Sequence, residues 1–214
     1  MLDPKDFIIT RKRKKYRFAK FYNSSLCFEF DDWQKKSVDI VEIGAGTGLF
    51  SVELAQLHPE KLFVAIDVKG DRLQKGAYEA QLRGLTNVQF LRARADQLSE
   101  CIENGSATEI WVTFPDPFPK KGASARRLTH PNFLKLYSQL LSANGALHLK
   151  HDNDAFFHWS LEQLIASNWL IDELSFDLHE SSVSSEAKIM TTYEHRWTEE
   201  GNTINFVSVR HVPN

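Results

Sequence analysis

Two cysteines in 214 residues, Cys27 and Cys101, leave no disulfide framework and no Cys-x-x-Cys zinc pattern. The expected setting is therefore reducing, and the expected location is the cytoplasm. No apolar run approaches the length of a membrane span. The N-terminus has no apolar segment beside its cations, so it does not read as a secretory signal. His58, His130, His148, His158 and His195 have no metal-ligand partners at useful spacing, so no metal is expected and most read as surface or capping residues. Charge of one sign is also missing: 26 Lys and Arg against 28 Asp and Glu give a net charge of -2, with no global field that would attract nucleic acid. Internal repeats and long low-complexity segments are absent as well. The length suits one domain with a substantial core.

The cations that are present are clustered. Arg11 to Lys15 with Arg17 form one group, Lys120-Lys121 a second and Arg126-Arg127 a third. Local clusters can bind phosphate on a protein that is acidic elsewhere. Residues 1–36 read as a basic arm and a lead-in that packs on a main domain of residues 37–214. The arm could contact RNA, solvate a flexible terminus or act as a targeting signal.

From residue 38 onward, apolar β-like runs alternate with helical patterns. Strands are expected at 38–44, 62–67, 88–94, 110–114, 146–150, 170–178 and 203–209. Helices are expected after Gly48, with Phe50, Leu54 and Leu57 on one face, and over 71–83, with Leu73, Ala77 and Ala80 inward and Gly84 closing it. Two more are expected over 131–141 and from Asp154 to Ala166, the last with Phe157, Leu161, Leu164 and Ile165 inward and Asp154 as a cap. Trp111, Trp159 and Trp169 read as core. Residues 180–188 are serine-rich and expected to be mobile, and 191–197 to form a short helix or turn. The alternation implies an α/β fold with a mostly parallel seven-stranded sheet, and the last two strands, with no full crossover between them, imply a C-terminal antiparallel hairpin. Ligands of such sheets bind beyond the carboxyl ends of the strands.

Phe114-Pro-Asp-Pro-Phe-Pro-Lys-Lys121 lies at one such end, with Arg126-Arg127 just after it. Its prolines cannot continue a ladder, so the strand stops and a stiff loop presents Asp116. A carboxylate can accept from the N–H groups of a purine edge. An aromatic ring can stack on a base, and cations can hold phosphates. The bland alternative is a proline-rich loop with a solvated charge cluster.

Glu42-Ile-Gly-Ala-Gly-Thr-Gly48 ends the first expected strand. In the dinucleotide pattern the third glycine comes one residue later, and an acid before the loop repels pyrophosphate. That acid suits a cationic, amino-acid-bearing ligand such as S-adenosylmethionine. Asp67 ends the second strand roughly twenty residues on, where a carboxylate can hold both ribose hydroxyls. Asp96 follows the third strand and is placed for an adenine amino group. A structural turn with incidental acids, or an NAD-type site, would share parts of this pattern.

Together, Glu42 to Gly48, the Phe114 to Arg127 stretch, Lys150-His-Asp-Asn153 and Thr191-Thr-Tyr-Glu194 resemble the bacterial tRNA (guanine-N7)-methyltransferase family over about residues 38–209. The resemblance implies a Rossmann-like class I methyltransferase. Its cofactor is S-adenosyl-L-methionine, and its substrate is the variable-loop guanine of tRNA at conventional position 46. It implies cofactor contacts at Glu42, Gly44, Gly46, Asp67, Asp96 and Asp116, with Asp116 also the catalytic acid. Lys120, Asp152, Thr191, Thr192, Tyr193 and Glu194 fall on the substrate side, and Lys121, Arg126 and Arg127 are expected to contact RNA. Two departures stand out: Phe118 replaces the family's usual tryptophan, and Gly122 to Ala125 replace a basic run. His151 stands where threonine is common. The alternatives are an amino methyltransferase acting on adenine or cytosine, and a non-catalytic RNA-binding protein that kept the fold. Monomer and homodimer both remain open.

Overall fold

The computed structural model describes residues 12–212; within that range the side chains of residues 12, 13, 192 and 196 lie outside the description. In chain order the elements are α1 (Lys12–Tyr22), β1 (Cys27–Glu29), β2 (Ile40–Ile43), α2 (Leu49–Leu57), β3 (Phe63–Asp67), α3 (Gly70–Leu82), β4 (Val88–Arg92), α4 (Leu98–Cys101), β5 (Ala107–Thr113), α5 (Pro131–Leu140), β6 (Leu141–His151), α6 (Asp154–Ala166), β7 (Trp169–Ser175), α7 (Thr192–Glu199) and β8 (Asn205–His211). They build one eight-stranded sheet in the order β1-β4-β3-β2-β5-β6-β8-β7. The first six strands in that order are parallel, and β8 is antiparallel to both β6 and β7.

The apolar runs explain the central strands. All of β2 and the first four residues of β3 are buried, as expected of parallel strands covered on both faces. Alternate residues feed two cores. Val41, Ile43, Val64, Ile66, Ile110 and Val112 pack with Tyr137, Phe157 and Leu164 from α5 and α6. Ile40, Phe63, Ala65 and Trp111 pack with Phe50, Leu54, Leu73 and Ala77 from α2 and α3.

Several details depart from the sequence-based expectations. The sheet gains an eighth strand because Cys27–Glu29 of the lead-in pairs in parallel with β4, Phe28 opposite Leu91. The closing strands pair antiparallel as expected, but β8 inserts between β6 and β7. Leu57 and Ile165 are exposed, because each lies in the last turn of its helix, beyond the sheet it would cover. Asn153, not Asp154, caps α6, its side chain accepting from the Phe156 N–H at 2.8 Å; Asp154 instead accepts from Asn205 at 2.8 Å. Residues 180–188 carry anchors despite their serines: Ala187 is fully buried, and Lys188 donates to the carbonyls of His179 and Ser181.

The described part of the basic arm is folded. α1 packs along α3, with the Phe21 ring buried over Gly70. The Arg92 guanidinium, at the end of β4, lies 5.3 Å from the Phe18 ring. At the other end, Gln81 late in α3 donates to Ser24 at 3.2 Å. α1 thus runs parallel to α3, and its N-terminal end lies at the edge where the parallel strands finish. Residues 1–11 lie outside the described residues. No described helix is long and apolar enough to cross a membrane.

Candidate active site

The carboxyl end of β2 opens into the glycine loop. Gly44, Gly46 and Gly48 have φ of 73°, 58° and 68°, the left-handed region that side chains disfavour. The loop is tied to the end of β3, since the Gly44 and Ala45 N–H groups donate to the Ile66 carbonyl at 2.9 and 3.0 Å. A Cβ at Gly48 would meet the Phe90 ring at 2.6 Å, whereas one at Gly46 would meet nothing within 4 Å, so Gly46 faces open space. A fourth glycine, which sequence reasoning passed over, completes the cradle. Gly76 in α3 donates its N–H to the Thr47 carbonyl at 2.9 Å. A Cβ there would lie 2.5 Å from that same oxygen. A glycine in mid-helix was the available signal, since it costs stability unless something approaches closely.

The expected cofactor acids occupy different environments. Glu42 lies buried beneath the loop and accepts from the Ser51 hydroxyl at 2.6 Å and the Thr113 hydroxyl at 2.9 Å. Burial outweighs these hydrogen bonds and pushes its carboxyl up to about 7. Asp67 accepts from the Gly46 and Lys69 N–H groups at 2.9 and 2.8 Å, and burial raises its carboxyl too. Each of its oxygens keeps a further lone pair. Asp96 is exposed, and Arg94 grips both its oxygens at 2.8 and 2.9 Å, a hydrogen-bonded pair that lowers its carboxyl.

β5 pairs with β2, so the proline loop leaves the sheet one strand away from the glycine loop. Phe114 and Phe118 have φ of 49° and 40°, uncommon for residues with side chains. Asp116 between them is exposed, and among the described residues no hydrogen bond or ion pair reaches its carboxylate. The cations divide. Lys120 and Lys121 are exposed, and the Arg126 guanidinium lies 4.4 Å over the Phe118 ring. Arg127 turns inward: it donates to the Pro117 and Phe118 carbonyls at 2.9 and 3.0 Å and stacks 4.2 Å over Trp159. That contact leaves Trp159 half-buried at the surface instead of in the core.

The end of β6 supplies Lys150, His151 and Asp152. His151 is buried; its Nδ1 accepts from the Asn153 N–H at 2.8 Å, so its Nε2–H is the one that donates to the Pro115 carbonyl, at 2.9 Å. Asp152 is half-buried, with Oδ1 3.2 Å from His151 Nδ1. Lys150 is fully buried and donates to Glu194 at 2.7 Å and to the Ile189 carbonyl at 2.9 Å. Burial lowers its ammonium, and the Glu194 charge opposes that.

Glu194 is fully buried as well. It also accepts from His179 at 2.9 Å and from the Thr191 N–H at 3.0 Å, while the Thr191 hydroxyl accepts from the Glu194 N–H. Thr191 and Glu194 therefore form the capping box of α7. Tyr193 is exposed, and its ring lies 5.3 Å from that of Phe114, which brings α7 to the mouth of the proline loop. The Thr192 side chain lies outside the described residues.

A sheet with five central parallel strands, a glycine loop after β2 and acids after β3 and β5 defines a class I methyltransferase. A family model described as "Putative methyltransferase" matches residues 36–207. The tRNA (guanine-N(7)-)-methyltransferase of Geobacillus kaustophilus is 38% identical over 77% of this chain and 75% of its own length. That of Porphyromonas gingivalis is 40% identical over 79% of this chain and 69% of its own length. The chain belongs to the tRNA (guanine-N(7)-)-methyltransferase family. Among solved structures, the 16S rRNA methyltransferase KamB superposes with a TM-score of 0.63 at 16% identity, covering 86% of this chain and 90% of its own, which bears on the fold alone.

Proposed function

We propose that this protein transfers a methyl group from S-adenosylmethionine to N7 of a guanine in tRNA, that of the variable loop, in the cytoplasm. The observation that carries the proposal is Asp116: a carboxylate with no hydrogen bond or ion pair among the described residues, on a braced loop one strand away from a glycine cradle, in a chain of this family.

The residues present fit the cofactor. Gly46 leaves open space above the loop, Asp67 keeps acceptor capacity for two ribose hydroxyls, and Glu42 provides a buried acid beneath. When bound, S-adenosylmethionine supplies a methyl group on a cationic sulfur. Glu42 favours the positive charge of such a ligand through its field. Asp96 has both oxygens on Arg94, so contact with an adenine amino group draws on their remaining lone pairs.

Guanine N7 has a lone pair and no proton, so no general base is needed. Positioning supplies much of the acceleration. The purine becomes cationic as the bond forms, and a fixed carboxylate stabilises that charge. Asp116 has that role and also accepts from the guanine N1–H and amino group. Asp152 holds the base or its ribose, with Lys120, Lys121 and Arg126 on phosphates. Thr191 and Glu194 close the far wall by fixing α7, which presents Tyr193. Lys14 and Lys15, in the half of α1 nearer the edge where the parallel strands finish, extend the phosphate track.

The test is methyl transfer to an unmodified tRNA transcript with and without its variable-loop guanine. Transfer that needs this guanine and yields N7-methylguanine is expected. Methylation of an exocyclic amino group would overturn the assignment in favour of an amino methyltransferase, and absence of S-adenosylmethionine binding would favour a non-catalytic RNA-binding role.

A further inference from the structure

The loop that carries Asp116 has few N–H groups with which to hold its own shape. Pro115, Pro117 and Pro119 have no N–H to donate, and Phe114 and Phe118 sit at positive φ. Its carbonyls are instead held from outside: Pro115 by His151 at 2.9 Å, Pro117 by Arg127 at 2.9 Å and Phe118 by Arg127 at 3.0 Å. These three bonds bracket Asp116 on both sides. Both clamping side chains lean on α6, for the His151 ring lies 4.5 Å from the Phe156 ring and the Arg127 guanidinium 4.2 Å over Trp159. The His151 tautomer is fixed in turn by the Asn153 N–H.

We infer that His151 and Arg127 are positioning residues that fix the Asp116 carboxylate by clamping the backbone on either side of it, and that Arg127 serves this loop rather than an RNA phosphate. The inference rests on Asp116 facing the methylated base, as proposed above. A bidentate fork over two successive carbonyls needs a planar guanidinium, which lysine cannot supply. The His151 role needs one N–H donor at the Nε2 position, which a glutamine amide can approach.

The test uses the full chain with Arg127→Gln, Arg127→Lys, His151→Ala and His151→Gln. In Arg127→Gln, Arg127→Lys and His151→Ala, kcat with saturating tRNA should fall about 10–100-fold, the scale of an ångström-sized misplacement, while KM for tRNA and its salt dependence stay unchanged. His151→Gln should recover most of kcat. Tryptic cleavage after Lys121 should speed up in the same variants that lose kcat. Lys120→Gln with Arg126→Gln should instead raise KM and flatten the salt dependence. Trp159→Leu removes the ring that Arg127 stacks on and leaves the Arg127 side chain itself intact; it should reproduce the Arg127 effects in weaker form, and it keeps the test open if an Arg127 variant fails to fold. An Arg127→Gln protein with normal kcat, a raised KM and a shallower salt slope would overturn the inference, since that is the signature of a lost phosphate contact. A fall in kcat without faster cleavage would overturn it too. If the wild-type protein methylates no tRNA, the functional reading fails, whereas the cleavage comparison still decides the clamp.

Discussion

Glu42 is enclosed, Asp67 is half-enclosed, Asp96 is gripped by an arginine, and Asp116 touches no described partner. These environments suit different roles. Replacing Asp116 by Asn removes the negative charge and keeps the shape, so kcat with saturating S-adenosylmethionine should drop about 100-fold or more, the scale of losing a group that stabilises transition-state charge. Near-normal turnover in that variant would exclude the role. Glu42 makes a prediction about binding. Its carboxyl is raised to about 7, so it ionises as pH rises through that value. A cationic ligand favours the ionised form, so S-adenosylmethionine should bind more tightly as pH rises from 6 to 8, with proton release at pH 6.5. Calorimetry in two buffers of different ionisation enthalpy would measure it, and Glu42→Gln should abolish the pH dependence. The acids were legible in the sequence because each falls at a strand end. The inward turn of Arg127 was not, because nothing in Arg126-Arg127 says which cation meets Trp159 and which meets solvent.

At the level of elements, helix geometry decides how firmly the site is held. Gly76 lets α3 approach the glycine loop until backbone meets backbone. In Gly76→Ala, helix propensity gains about 1 kcal/mol, but the new methyl meets a carbonyl oxygen and a buried ring, which costs on the order of 1–3 kcal/mol. The steric effect should win: chemical denaturation should show net destabilisation, and S-adenosylmethionine affinity should fall because the loop is displaced. α7 is held by an ion pair. Removing Glu194 leaves the Lys150 ammonium buried without its counter-charge, a loss of about 3–5 kcal/mol where the lysine stays charged. Without the carboxylate that opposes burial, the folded-state pKa of Lys150 falls further below its unfolded value. The penalty in Glu194→Ala should therefore grow as pH falls, and unfolding curves at pH 6 and 9 would show it. The Thr-x-x-Glu spacing of a capping box is readable at 191–194, in the same residues that carry the substrate-side resemblance. β1 could not have been read, since three residues cannot display a period.

For the whole molecule, a buried carboxyl and a largely enclosed imidazole, both outside the chemical step, bend the pH dependence of stability in opposite directions. His148 projects from β6 into a stack between Trp111, 4.1 Å away, and Phe206. The sequence suggested a surface histidine, but these rings enclose most of the side chain and leave it 13% exposed. Burial outweighs the pull of Glu109 and Asp172 and lowers the imidazole to about 4 from an ordinary 6.5. The unfolded chain binds this proton first, so the contribution of His148 is complete above pH 6.5 and is lost as pH falls toward 4. Glu42 runs the other way: its folded-state value of about 7 exceeds its ordinary 4.5, so its contribution is present below 4.5 and is lost as pH rises toward 7. Over pH 4.5–6.5 the two slopes oppose each other, each up to about 1.4 kcal/mol per pH unit. Relative to the wild type, Glu42→Gln should gain stability as pH rises across this window, because the rising His148 contribution is no longer offset. His148→Asn should lose stability over the same interval, exposing the Glu42 slope. Unfolding by urea at half-unit pH steps, without S-adenosylmethionine, would measure both differences. Parallel profiles for the two variants would mean that neither group carries the assigned shift.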